Sequence, residues 1–173
     1  ELEEARDKVR WGKERRSLAL SEKEKTNTAY HEAGHALLLE LLEFTEPLHK
    51  VTIIPRGPSL GSTMWLPIED KYTQRRNELL DDLVVSMGGR VAEELIFGRE
   101  RVTTGASSDI QKATELSRRY VTQWGLSDAV GPIQVGTNEQ ELFLGRDIQH
   151  RQEVSQQTAE LVDREVRRVI QEA

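Results

Sequence analysis

The 173-residue sequence has no cysteine. Disulfides and thiolate metal sites are therefore excluded, and any transition metal would have to be held by imidazoles and carboxylates. Aromatic residues make up only 5% of the chain, and apolar residues 36% against 31% charged. That balance suits an elongated or assembly-forming helical body better than one with a large core. No apolar run approaches the ~20 residues that span a bilayer, and the first residues lack the order of a signal peptide, so the chain itself is expected to be soluble. There is no long basic run and the net charge is −6, which argues against a nucleic-acid partner. No G-x-x-x-x-G-K-[ST] phosphate-binding loop occurs. The length suits one domain, or one domain with a short extension. Both ends look cut from something longer: the chain opens mid-helix, with Leu2, Ala5 and Val9 among charges, and stops at Val169–Ala173 without a cap.

Among what is present, helical signals dominate. Gly12 to Leu20 reads as a basic linker. Ser21 and Glu24 form an S-x-x-E capping box that predicts a helix from about Glu22 to Glu43. Tyr30, Ala33, Leu37 and Leu41, with Gly34 and Leu38, form its apolar stripe. Lys50–Ile54 and Ser62–Leu66 read as strands closed by prolines, giving a small two- or three-stranded sheet. Thr73 is placed to cap a long helix whose apolar set is Leu80, Leu83, Val84, Met87, Val91 and Leu95, ending at Phe97-Gly98. Glycines at 34 and at 88–89 point to close helix packing. A further helix is expected from about Ser108 to Trp124, with Ser108 and Gln111 as a capping pair. Residues 125–145 read as loop, and a last amphipathic helix carries Val154, Leu161, Val162, Val166, Val169 and Ile170. The expected fold is mainly α with a small β-sheet.

The segment His31-Glu32-Ala33-Gly34-His35 carries the chemistry. This is HExxH, in which two imidazoles four residues apart share one face of a helix and can converge on one ion. Glu32 lies about 100° round the helix from His31, within reach of a water beside that ion but poorly placed to be a ligand. Placing the chain's 4 histidines and its glutamates at random would produce the pattern about 0.01 times. A catalytic zinc site takes three protein ligands and keeps a fourth position for water, whose proton a carboxylate can accept. His49 and His150 qualify as third ligand by residue type, but they fall in a strand entry and a loop and read as ordinary surface histidines. Glu93 lies on the long helix and Asp109 at the start of the next one. Chemistry alone does not choose between these two.

The motifs His31–Ala36, Lys50–Gly57 (K-V-T-I-I-P-R-G), Gly88–Glu94 (G-G-R-V-A-E-E) and Thr103–Ile110 (T-T-G-A-S-S-D-I) follow one another in an order that resembles the protease domain of the FtsH family, membrane-anchored ATP-dependent zinc metalloproteases. The likeness runs from about Ala5 into the last helix. It implies one zinc ion per chain held by His31, His35 and Asp109, with Glu32 as general base and Glu93 orienting a ligating imidazole. At Ser108 many relatives have Asn, one N-cap residue for another. The resemblance also implies that residues 1–20 are the end of a preceding ATPase module and its linker, and that 21–173 are the zinc metalloprotease domain, normally continued beyond Ala173. ATP and Mg²⁺ would act only in that ATPase module. Implied partners are unfolded polypeptides, including misfolded membrane proteins, and further copies of the chain in a hexamer. Membrane contact would come only through segments outside this sequence, with the domain on the cytoplasmic, matrix or stromal side.

An exposed edge beside such a site could pair with an extended substrate, and Thr63, Met64 and Trp65 are the candidates; the competing reading packs Trp65 in the core. Two other functions compete. Glu32 and His35 form an E-x-x-H pair of the kind duplicated in di-iron carboxylate bundles, with Glu46–His49 as the only second copy, spoiled by Pro47. A metal-free oligomerisation scaffold is the other, which intact Glu32, His35 and Asp109 argue against.

Overall fold

The computed structural model describes residues 2–15, 17–57, 59–136 and 155–173. These form two compact units, Glu1–Gln111 and Lys112–Ala173. The first holds helix α1 (Leu2–Trp11), helix α2 (Glu22–Leu41), strands β1 (Leu48–Thr52) and β2 (Ser62–Trp65), helix α3 (Arg76–Phe97), two short 3₁₀ turns and the first residues of helix α4 (Ser107–Thr122). The second holds the rest of α4 and helix α5 (Gln156–Glu172). A mainly helical fold with a small sheet is what the sequence predicts, and among the described residues that sheet has two strands.

Local chemistry explains most boundaries. The Ser21 hydroxyl accepts from the Glu24 amide at 3.2 Å, and the Glu24 carboxylate accepts from the Ser21 amide at 3.0 Å. The predicted box is thus formed and starts α2 where expected. At α3 the cap differs from the Thr73 expectation: Glu78 reaches back to the Arg75 amide at 2.6 Å, so the first turn begins at Arg76. Ser108 is not a cap either. The Thr103 hydroxyl accepts from the Gly105 amide, a 3₁₀ turn over Thr104–Ala106 follows, and the chain is already helical at Ser107. At α5, Ser155 caps by accepting from the Thr158 amide at 3.2 Å; Val154 and His150 lie outside the described residues.

β1 and β2 are antiparallel, with Val51 opposite Thr63 and Lys50 opposite Met64, and an irregularity at His49. β1 ends two residues before the predicted Ile54. The Thr52 hydroxyl accepts from the Ile54 amide at 3.0 Å and bends the chain away. The released stretch pairs instead with the linker: the Arg15 amide donates to the Pro55 carbonyl at 2.8 Å, and the Arg56 guanidinium bonds Glu14.

α2 and α3 run antiparallel, since contacts descend on α3 as they climb α2: Tyr30 with Phe97, His31 with Glu93, His35 with Val85, and Phe44 with Asp81. Glycines permit their approach. A Cβ at Gly34 would lie 2.7 Å from that of Ala92, and one at Gly88 would lie 3.0 Å from the Gly34 carbonyl oxygen. This crossing overturns the apolar-stripe expectation. Tyr30, Leu37 and Leu41 are 43%, 59% and 71% exposed, and Val91 and Leu95 on α3 are exposed too. The face of α2 that is buried carries Thr28, His31, Glu32, His35 and Leu39. Close backbone contact set which side meets which, and the inward side chains of His31, Glu32 and His35 each find partners.

In the second unit, α4 buries Ala113, Ser117, Tyr120 and Val121, and α5 buries Val162, Val166 and Val169. The Ser127 hydroxyl donates to buried Glu165 at 2.7 Å, which also takes Arg168.

Candidate metal and catalytic site

His31 and His35 leave α2 on its buried face and meet two different acceptors. His31 Nδ1 donates to Glu93 Oε1 on α3 at 2.8 Å, and His35 Nδ1 donates to the Val85 carbonyl oxygen at 2.7 Å. A carbonyl can only accept, so His35 carries its proton on Nδ1. The buried Glu93 carboxylate selects the same tautomer for His31. Glu93 is itself anchored, because its Oε2 accepts from the Thr103 amide at 2.7 Å. Gly89 leaves room for the ring: a Cβ there would stand 2.6 Å from His31 Cδ2.

Both Nε2 atoms, once neutral, then present bare lone pairs, and they lie 3.1 Å apart. Asp109, in the first turn of α4, adds a carboxylate oxygen 3.1 Å from His31 Nε2 and 3.6 Å from His35 Nε2. Three electron-pair donors face one another, an arrangement that suits a positive ion. Ligands bonded tetrahedrally at 2.0–2.1 Å stand about 3.3 Å apart, close to the separations found. No other group of three or more potential ligands occurs among the described residues. The donor set therefore fits zinc.

Without an ion, a proton shared with the imidazoles takes the place of that positive charge. Burial alone would raise the Asp109 pKa, yet the bonds and charges of His31 and His35 outweigh it and hold the carboxyl well below its usual range. At His31 burial opposes the charge, but bonds to Asp109 and Glu93 prevail and raise its pKa. Burial pushes the Glu32 carboxyl up, opposed by a hydrogen bond from Thr63 and by both histidines.

The structure brings His31, Glu32, His35, Glu93 and Asp109 together. Of the substrate candidates, Met64 is buried at 1% exposure, Trp65 is half exposed at 45%, and Thr63 turns its hydroxyl to Glu32. A buried Met64 can offer a substrate only its backbone. His49 is occupied elsewhere, accepting from Arg6 at 2.7 Å and lying 3.2 Å from Glu3, while Glu46 pairs with Lys71; the second E-x-x-H unit of a di-iron site is thus absent among the described residues. Three contacts escaped sequence reasoning. The Val85 carbonyl and the Thr103 amide are main-chain groups with no side-chain signature. Thr63 had one available signal, its place two residues after a glycine that lets the strand come close.

Known proteins fit this geometry. The sequence profile of Peptidase family M41 matches residues 18–173. The chain is 56% identical over its whole length to ATP-dependent zinc metalloprotease FtsH 2 of Methylacidiphilum infernorum, of which it covers 27%. It is 50% identical over 99% of its length to ATP-dependent zinc metalloprotease FtsH of Caulobacter vibrioides, covering 27%, and 53% identical over all of it to the Akkermansia muciniphila protein of that name, covering 21%. The chain thus spans about a quarter of the length of these curated relatives. With its HExxH helix, its G-G-R-V-A-E-E helix and its T-T-G-A-S-S-D turn converging on one point, the chain belongs to peptidase family M41.

Proposed function

We propose that the chain is a zinc metalloendopeptidase domain that cleaves unfolded polypeptides and forms part of a membrane-anchored, ATP-dependent protease. The observation that carries this is the pair of Nε2 lone pairs and the Asp109 carboxylate converging beside the buried Glu32 carboxylate. His31, His35 and Asp109 would hold the metal. Zinc supplies Lewis acidity, polarising a peptide carbonyl and making water a better proton donor. Glu32 accepts the proton of the attacking water and returns it to the leaving nitrogen. Glu93 keeps His31 in one tautomer and one orientation, and the Val85 carbonyl does the same for His35. The outer edge of β2 pairs with no strand among the described residues. An extended substrate laid there would be held by main-chain bonds, with Trp65 beside it and little sequence preference.

The domain division follows the family: residues 1–20 as the end of an ATPase module and its linker, 21–173 as the protease domain, assembled as a hexamer. Among the described residues no helix is long and apolar enough to cross a membrane, so an anchor would belong to other segments of the longer protein, with this domain on the cytoplasmic or organelle-interior side. Unfolding a substrate is the task of the ATPase, and this sequence has no phosphate-binding loop. The test compares a folded protein with its permanently unfolded variant as substrates of the zinc-loaded chain. ATP-independent, chelator-sensitive cleavage of the unfolded one alone is expected. ATP-stimulated degradation of the folded one by this chain would overturn the reading.

A further inference from the structure

Glu32 is held from strand β2, outside the helices that carry the candidate ligands. The Thr63 hydroxyl on β2 lies 2.7 Å from Glu32 Oε2 and 3.0 Å from the Glu32 carbonyl oxygen. It has one proton, and the ionised carboxylate is the stronger acceptor, so the bond goes to Oε2 and leaves Oε1 for the attacking water. The strand also confines the stem of Glu32. A Cβ at Gly61 would lie 2.9 Å from both Glu32 Cγ and Oε1, so β2 reaches this depth only because residue 61 has no side chain. The terminal torsion of a glutamate is otherwise broad, and a free carboxylate would sample many orientations.

We infer that Thr63 is a positioning residue for the reaction: through its hydroxyl, strand β2 fixes the carboxylate of Glu32 and determines which oxygen meets the attacking water. This rests on Glu32 as the base and reassigns the Thr63 side chain from substrate to catalyst, leaving the backbone edge and Trp65 for the peptide. The two roles leave different kinetic marks. A lost substrate contact raises KM, whereas a loosened base lowers kcat at unchanged KM.

The experiment compares Thr63→Val, Thr63→Ser, Glu32→Gln and Glu32→Ala with the parent chain. On a short unfolded peptide with zinc loaded, Thr63→Val should lower kcat about 10–100-fold, the range typical of outer hydrogen-bond partners in metal sites. KM and zinc content should be unchanged, and Thr63→Ser should restore most of the rate. Independently of activity, thermal unfolding in chelator should show coupling: the loss of melting temperature caused by Thr63→Val should shrink at least by half on a Glu32→Ala background. If Thr63→Val unfolds at the parent temperature in both backgrounds, or raises KM while kcat stays the same, the inference is wrong. Full activity of Glu32→Gln would instead sink the base assignment on which it rests.

Discussion

A buried and a half-buried aspartate in the first unit are handled in opposite ways. Asp7 on α1 is 1% exposed and sits among cations supplied by the chain, with Lys50 Nζ at 2.9 Å on β1 and Arg6 Nη2 at 3.5 Å. The nearby His49 ring accepts from Arg6, so its lone pair is occupied. Beside Asp109 stand two imidazoles, both protonated on their far nitrogens in the neutral form, and their near nitrogens then add electron pairs to those of the carboxylate. One cluster carries its own positive charge and acts as a clasp between α1 and β1. The other gathers electron pairs at one point, where a positive ion can be held. Both look alike as a carboxylate beside a histidine; what separates structure from site is whether the imidazole nitrogen is already taken by a cation of the chain or faces another ligand atom.

The comparison breaks most visibly at Asp109. Asp109→Ala should remove zinc at equilibrium and all peptidase activity, with an affinity loss beyond the 10–100-fold of an outer partner; zinc retained per chain after dialysis measures it. If Glu93 rather than Asp109 proves to be the third ligand, the loss will follow Glu93→Ala instead. Next in size is Glu32→Gln, nearly isosteric but without the proton acceptor. Zinc content should be unchanged while turnover falls about 10²–10⁴-fold, read from peptide cleavage at matched zinc occupancy. Glu93→Gln keeps the volume but weakens acceptance from His31 and the Thr103 amide, and should cost about 10–100-fold in zinc affinity or rate.

The smallest effect lies in the clasp and should be insensitive to zinc. The Lys50 bond holds the Asp7 carboxyl below its ordinary value, with burial opposing and Arg6 assisting. A carboxyl lowered on folding adds stability that is present above the ordinary range near pH 4 and is lost as pH falls through the lowered value. Asp7→Asn should therefore cost about 1 kcal/mol at pH 7, since both cations are a third exposed. The gap between variant and parent should close on acidification below about pH 4. Urea midpoints across pH 2–7, with chelator throughout, measure this; a gap that widens in acid would show that Asp7 is not the charged partner.

The sequence disclosed the parts whose rule is local. A capping box is satisfied within four residues, and Ser21 with Glu24 began α2 as expected. HExxH needs only a helix to bring its imidazoles together. What depended on the meeting of two chain segments was less legible. The choice between Glu93 and Asp109 stayed open until family likeness was added, because either carboxylate could reach the histidines from a helix. The stripe through Tyr30, Leu37 and Leu41 was legible as amphipathic but faces outward, since the glycine crossing rather than hydrophobicity orients α2. Thr73 and Ser108 were plausible caps displaced by partners a few residues away. The Val85 carbonyl could not be foreseen from side chains at all.

The crossing at Gly34 and Gly88, with Gly89 beneath His31, has a consequence for how this protein tolerates change. How the two imidazoles are aimed depends on how near α2 and α3 come, because Glu93 and the Val85 carbonyl reach them from α3, and that distance is held by residues that have no side chain to react, bind or titrate. A methyl group added there works as a spacer between chassis members and pulls the instrument out of calibration while every reactive part stays intact. In a survey of substitutions scored by activity alone, alanine at Gly34 or Gly89 would rank beside the loss of a histidine. Fragility in this protein is thus concentrated where its chemistry is most bare.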